Sequence, residues 1–245
     1  MTTKISPTKT TLFACWLALV ALANSTATVN AAEPLKVGSL KVDKVLYLGN
    51  SITLHSPAPK IGWLGNWGMA ASAADKDYVN LLTEKIAKAA GGRPQIKVRN
   101  IADFERSLQD YDVCESLKEE LAFEADVVIF AIGENSAAPK SDEERTRFFD
   151  AYSNLLAEIQ KHGRPTIFVR SQFWPDQEKD PLIKKACEKT GCQYVDIRAI
   201  GLDPSHAARA ERMIEHAGVA GHPGDKGMAA IASALWSAIE TFARK

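Results

Sequence analysis

Neither sign of charge is in excess in this sequence. Over 245 residues, 30 Lys and Arg stand against 30 Asp and Glu. The chain therefore lacks both the basic field that holds nucleic acid and an acidic tail, and no nucleic-acid partner is expected. Cysteine is sparse: Cys15, Cys114, Cys187 and Cys192 contain no Cys-x-x-Cys pair, which argues against a zinc or dithiol redox motif. His55, His162, His206 and His216 lack metal-ligand spacing, so neither a metal nor another cofactor is expected. Only 15 Gly and 11 Pro are present, without a period, which excludes a fibrous chain. What remains is the composition of a folded protein, 46% hydrophobic and 24% charged, long enough to bury a real core.

Residues 1–31 read as a secretory signal peptide. Lys4 and Lys9 precede an apolar run over residues 11–23, and a polar stretch ends in Ala31-Ala32, where small residues suit a signal peptidase. The run is shorter than the about 20 residues of a bilayer-spanning helix. The expectation is an exported protein, periplasmic or extracellular, with no stable membrane anchor after cleavage and one domain over 32–245. Cleavage removes Lys4 and Lys9 and no acid, leaving two more acidic than basic groups. It also removes Cys15. Cys187 and Cys192 then flank a helix-to-strand turn at Gly191, and two states stay open: a small disulfide with Cys114 free, or three reduced thiols.

From residue 42 onward, strand-like and helix-like patterns alternate. Val45–Leu48, Ile96–Val98, Asp126–Ile132, Thr166–Val169 and Tyr194–Ile197 read as strands, the third apolar enough to be buried on both faces. Asp77–Ala90 reads as a helix with Val79, Leu82, Ile86 and Ala89 on one face. Ser141 with Glu144 makes a capping box for a helix striped by Phe148, Tyr152, Leu155 and Ile159. Pro181–Lys189 and Asp225–Phe242 are the remaining helices, the last turning Met228, Ile231, Leu235, Ile239 and Phe242 inward. The alternation predicts an α/β domain with a five-stranded parallel sheet covered on both sides.

Such sheets bind ligands at the carboxyl ends of their strands, and three groups of residues follow strands directly or lie in the last loop. Gly49-Asn50-Ser51-Ile52-Thr53 places a serine in a tight turn, either as a nucleophile with backbone N–H groups beside it or as a helix cap. Gly133-Glu134-Asn135 places an amide where it can donate to a developing oxyanion, or simply makes a turn. Gly221-His222-Pro223-Gly224-Asp225 places a histidine in a loop before a helix, either as a general base or as a solvent-exposed cap.

Taken together, the three groups resemble the SGNH (GDSL) hydrolase superfamily of serine esterases and lipases. The family's Gly-Asp-Ser-x-x block is similar to Gly49–Thr53 with Asn50 in place of Asp. Its Gly-x-Asn-Asp block is similar to Gly133–Ser136 with Ser136 in place of the last Asp, and its fifth block centres on His222-Pro223. The resemblance spans about residues 42–243 and implies a flavodoxin-like three-layer α/β/α sandwich. It also implies ester hydrolysis through an acyl-Ser51 intermediate, with His222 as general base, and the Ser51 N–H and Asn135 holding the oxyanion.

Two departures stand out. The family's second block supplies a Gly whose N–H helps hold the oxyanion, whereas Asn100–Glu105 has none; the N–H of Ala102 or Asp103 is the expected substitute. The family's Asp three residues before the histidine is Val219 here. The expected orienter of His222 is a backbone carbonyl near Val219, ahead of Glu215 or Asp225, which suits the first turn of the last helix. Trp63, Trp67 and Trp174 are candidate substrate contacts or loop packing, Arg170 an anion contact or a carboxylate's partner, and Lys179–Lys189 a solvated face. The expected substrate is a small-molecule or glycan ester, with carbohydrate deacetylation favoured. The alternative is a non-hydrolytic carbohydrate-binding protein on the same fold.

Overall fold

The structure, a computed structural model, describes residues 1–4 and 33–245. The apolar run, the cleavage site and Cys15 lie outside the described residues. Of two units, Met1–Glu33 and Pro34–Lys245, the second carries everything below.

A short antiparallel hairpin, β1 (Lys36–Val37) and β2 (Leu40–Lys41), opens the domain; its two-residue strands are too brief to leave a periodic signal. The main sheet comprises β3 (Lys44–Gly49), β4 (Gln95–Asn100), β5 (Val127–Ala131), β6 (Thr166–Arg170) and β7 (Gln193–Val195). All its pairings are parallel, in the order β4-β3-β5-β6-β7. This is the expected five-stranded, flavodoxin-like sheet. The order of winding reverses between β3 and β5, so a crevice opens beyond the carboxyl ends of those two strands.

Two apolar layers cover the sheet. On one side lie α1 (Tyr78–Ala90) and the last helix of the chain, Asp225–Ala243, which bury Val79, Leu82, Ile86, Met228, Ile231, Leu235 and Ile239. Ala89, expected on the same face of α1, is exposed; Thr83 is buried there instead, its hydroxyl 2.8 Å from Tyr47 Oη. Phe242 is half-buried and meets the Phe168 ring edge-on at 5.8 Å. On the other side, β4 leads into the short helices α2 (Ala102–Ser107), α3 (Val113–Ser116) and α4 (Lys118–Leu121). These are followed by α5 (Asp142–Gln160), capped by Ser141 as expected, and α6 (Lys179–Thr190). Phe148, Tyr152, Leu155 and Ile159 are all buried. After β7 come α7 (Arg198–Leu202), α8 (Ala217–Gly221) and α9, the last helix already described.

Of the two thiol states left open, the structure has the reduced one, and one expectation, that for Lys179, needs correction. Cys187 and Cys192 are unbridged; Cys187 is buried among the side chains between sheet and α6, and burial pushes its thiol up to about 12. Lys179 is not part of a solvated face: it is 4% exposed, and its ammonium donates to the carbonyls of Gly133 (2.8 Å) and Ser136 (2.7 Å). A buried ammonium is tolerated only when its donors are satisfied. Here it ties α6 to the loop after β5.

Candidate active site

Strand β3 ends in Gly49, where an added Cβ would collide with the Thr53 side chain and approach the Ala131 carbonyl oxygen at 3.1 Å. Only glycine lets the chain turn there. The turn is closed by the Asn50 carbonyl, which accepts from Thr53 N (2.9 Å) and Leu54 N (3.0 Å), and by Asn50 Oδ1, which accepts from Ile52 N (3.2 Å). Ser51 stands at its apex with its hydroxyl 2.8 Å from His222 Nε2.

His222 comes from the far end of the chain. It follows α8, and its backbone N–H donates to the Val219 carbonyl (3.1 Å) while its own carbonyl accepts from Ala208 N (2.8 Å). The ring is fixed by the Gly218 carbonyl, 2.7 Å from Nδ1. A carbonyl oxygen only accepts, so the neutral ring carries its proton on Nδ1, and Nε2 is left as an acceptor for the Ser51 hydroxyl. Burial lowers the His222 pKa below its ordinary value, and the bond to Gly218 pulls the other way. Trp174, 39% exposed, packs edge-on against the imidazole at 5.1 Å.

Neither candidate carboxylate bonds to the ring. Asp225 accepts from Ser72 N (2.7 Å) and Ser72 Oγ (2.5 Å), and Glu215 is exposed at the surface. Asp225→Asn and Glu215→Gln are therefore each expected to keep kcat near the parent value. A loss approaching 10⁴-fold in initial rate from either would show a carboxylate working on the imidazole.

Strand β5 runs into Gly133, which adopts φ +134°, and then Glu134 and Asn135. Two carboxylates meet here, neither of them given a role by the sequence. Glu105, on α2 and 2% exposed, accepts from Gly133 N, from Asn135 Nδ2, from Asn135 N (3.3 Å) and from Asn50 Nδ2 (3.2 Å). Glu134 accepts from Asn50 Nδ2 (2.7 Å), Phe173 N (3.0 Å) and Arg170 Nη1 (2.6 Å). Burial, then the neighbouring Glu134, raise the Glu105 pKa. Burial also acts upward on Glu134, but Arg170 and the Phe173 N–H outweigh it and hold that carboxyl below its ordinary value. A charged residue ending a strand as buried as β6 must have a partner at the same sheet edge, and that was the available signal for Glu134. For Glu105 there was none, because α2 is too short to show a period.

Ser51, Asn135 and His222 line one open cavity of about 450 Å³, together with His55, Asp103 and Arg106. Ala102 N donates to Asn100 Oδ1 (2.9 Å) and is thereby occupied, which leaves Asp103 of the two expected backbone donors. Trp63 and Trp67 are not among its lining residues. They meet edge-on at 5.5 Å, and their indole N–H groups donate to the carbonyls of His55 and Ala71, both at 3.0 Å. They are packing for the long loop before α1. Arg170, 0% exposed, lies beneath the site as the partner of Glu134 and cannot reach a substrate.

A model of the GDSL-like lipase/acylhydrolase family matches residues 47–230. The chain belongs to that family. This GDSL-type chain is a carboxylic ester hydrolase. Among curated proteins none matches it in sequence. A mutant acetyl-xylooligosaccharide esterase from Geobacillus stearmophilus is 19% identical, with 82% of this chain and 96% of that one covered and a TM-score of 0.50. The acetyl xylan esterase AlAXEase is 17% identical over 80% of this chain and 98% of that one, TM-score 0.50. An acetyl xylan esterase from the rumen bacterium Butyrivibrio proteoclasticus is 12% identical over 81% and 64%, TM-score 0.51. At these identities the likeness is one of fold.

Proposed function

We propose that this GDSL hydrolase is an exported carbohydrate esterase that removes acetyl groups through a Ser–His dyad. The observation that carries the chemistry is the line Gly218 O, His222, Ser51 Oγ, with ring contacts of 2.7 and 2.8 Å. Ser51 Oγ attacks the ester carbonyl as its proton passes to His222 Nε2. The tetrahedral oxyanion is held by the N–H groups of Ser51 and Asn135. Collapse expels the sugar hydroxyl, which takes the proton back from Nε2, and leaves acetyl on Ser51. A water, deprotonated by the same nitrogen, then releases acetate and restores the hydroxyl. The imidazolium formed on the way is stabilised by its bond to the Gly218 carbonyl, a weaker partner than a bonded carboxylate, and at longer range by the charge of Glu134.

Room supports a glycan over a small ester. The catalytic cavity has Arg106 and Asn135 in common with a neighbouring cavity of about 650 Å³, and the two together offer more room than one acetyl group requires. The names of the three similar structures point to acetylated xylan and xylo-oligosaccharides, and residues 1–31 favour export. The test is acetate release from acetylated xylo-oligosaccharides by the secreted, N-terminally sequenced protein. We expect a mature start near residue 32 and a kcat/KM well above that for simple acetate esters. Retention of residues 1–31 would overturn export, and preference for simple or long-chain esters would overturn the glycan assignment.

A further inference from the structure

We propose that Glu105 is a positioning residue for the reaction. Its carboxylate holds one N–H of the Asn135 amide so that the other faces the ester oxygen above Ser51, and Asn50 is the amide that allows two carboxylates to share the spot. The inference rests on Asn135 as an oxyanion donor.

Asn135 is an exposed loop residue, and nothing in its own side chain prevents the amide from turning its C=O toward the site. An oxyanion needs the N–H end. Glu105 supplies the choice, since a carboxylate accepts from an amide NH₂ and repels an amide oxygen. Its other acceptor sites are taken by Gly133 N, Asn135 N and Asn50 Nδ2, so the carboxylate is itself immobile. Its helix is anchored too: Phe104 is 2% exposed, and Asn100 caps Ala102 N.

The residue at position 50 follows from the same cluster. Asn50 Nδ2 donates to Glu105 Oε1 and to Glu134 Oε2, standing between Glu105, whose partners are all neutral donors, and Glu134, which pairs with the Arg170 guanidinium. An Asp at position 50 would set a third carboxylate against both. The Asn at this position and the acid on α2 are thus one linked arrangement: each is needed because of the other.

Two readouts test this on the full-length protein. The first is kinetic, on a soluble acetate ester. Glu105→Gln is expected to lower kcat by about 10²-fold, in the range for loss of one oxyanion donor, with KM little changed. Asn50→Asp is expected to be similarly impaired. The double variant Asn50→Asp/Glu105→Gln should recover part of the loss, because the amide introduced on α2 can donate to the acid introduced after β3. Glu105→Asp, which keeps the charge but withdraws it by one methylene, serves if Glu105→Gln does not fold, and should also lower kcat. The second readout is independent of catalysis: the two side-chain amide protons of Asn135, resolved by ¹⁵N NMR, should differ in shift and exchange rate in the parent and converge in Glu105→Gln. A folded Glu105→Gln with unchanged kcat and an unchanged Asn135 amide pair would overturn the proposal. If the parent is not acylated on Ser51 yet the amide pair still converges, the oxyanion reading fails while the positioning role stands.

Discussion

Ser51→Ala is expected to abolish ester hydrolysis, with a loss on the order of 10⁴–10⁶-fold in kcat, because no other hydroxyl stands 2.8 Å from a basic nitrogen in this cavity among the described residues. His222→Ala should lose nearly as much. The double variant should be no worse than Ser51→Ala alone, since nucleophile and base act on one proton. Initial rates on a chromogenic acetate ester, with fluorophosphonate labelling to count acylated Ser51, measure this. The pH profile carries the sign of the His222 shift. The neutral ring is the active base, so the rate falls as pH falls through its pKa. Burial lowers that pKa from 6.5, so the acid limb should have its midpoint below 6.5 and the rate should be flat through neutrality. A midpoint well above 7 would indicate a carboxylate partner on the imidazole and defeat the dyad.

Arg170→Met should be the most destabilising substitution at the site. Arg170 is 0% exposed and the Glu134 side chain 3%, with 2.6 Å between them. Removing the guanidinium leaves Glu134 and Glu105 as two buried acids with only neutral donors. Stranding one member of such a pair costs about 3–5 kcal/mol, which for a domain of this size lowers Tm by about 10 °C. Calorimetry at pH 7 reads it. Arg170→Met/Glu134→Leu should recover much of the loss, since an apolar pair of similar volume avoids the desolvation of both charges. A single-variant loss below about 1 kcal/mol would show the pair to be dispensable. Sign again follows from burial and partners. Glu134 is held below its ordinary 4.5, so its contribution is fully present above that value and is lost as pH falls through the lower folded pKa.

The fold was legible because its signals are local. Strand β5 is apolar without interruption since both its faces are covered, and α5 shows its cap and its stripe within one stretch of chain. Ser51, Asn135 and His222 were legible because each sits in a Gly-containing turn or loop at the end of an element, where short-range geometry leaves a mark on the sequence. The hairpin of β1 and β2 and the helices α2 to α4 span too few residues for a period to develop. The tryptophans were ambiguous for another reason: an aromatic in a loop leaves the same local signal whether it packs inward, as Trp63 does, or meets the His222 imidazole, as Trp174 does.

By itself, the sequence determined the layer architecture, the nucleophile and base to test, and the absence of an acid three residues before His222. Only the tertiary structure decided what takes that acid's place and what surrounds Asn135. The Gly218 carbonyl reaches the imidazole because α8 turns its chain back on itself. Glu105, Glu134, Asn50 and Arg170 converge because four strand ends lie side by side in the sheet. That cluster joins residues up to 120 positions apart, from Asn50 to Arg170. A buried charge is tolerated only by the partners that the whole fold brings to it, and no local pattern of residues encodes them.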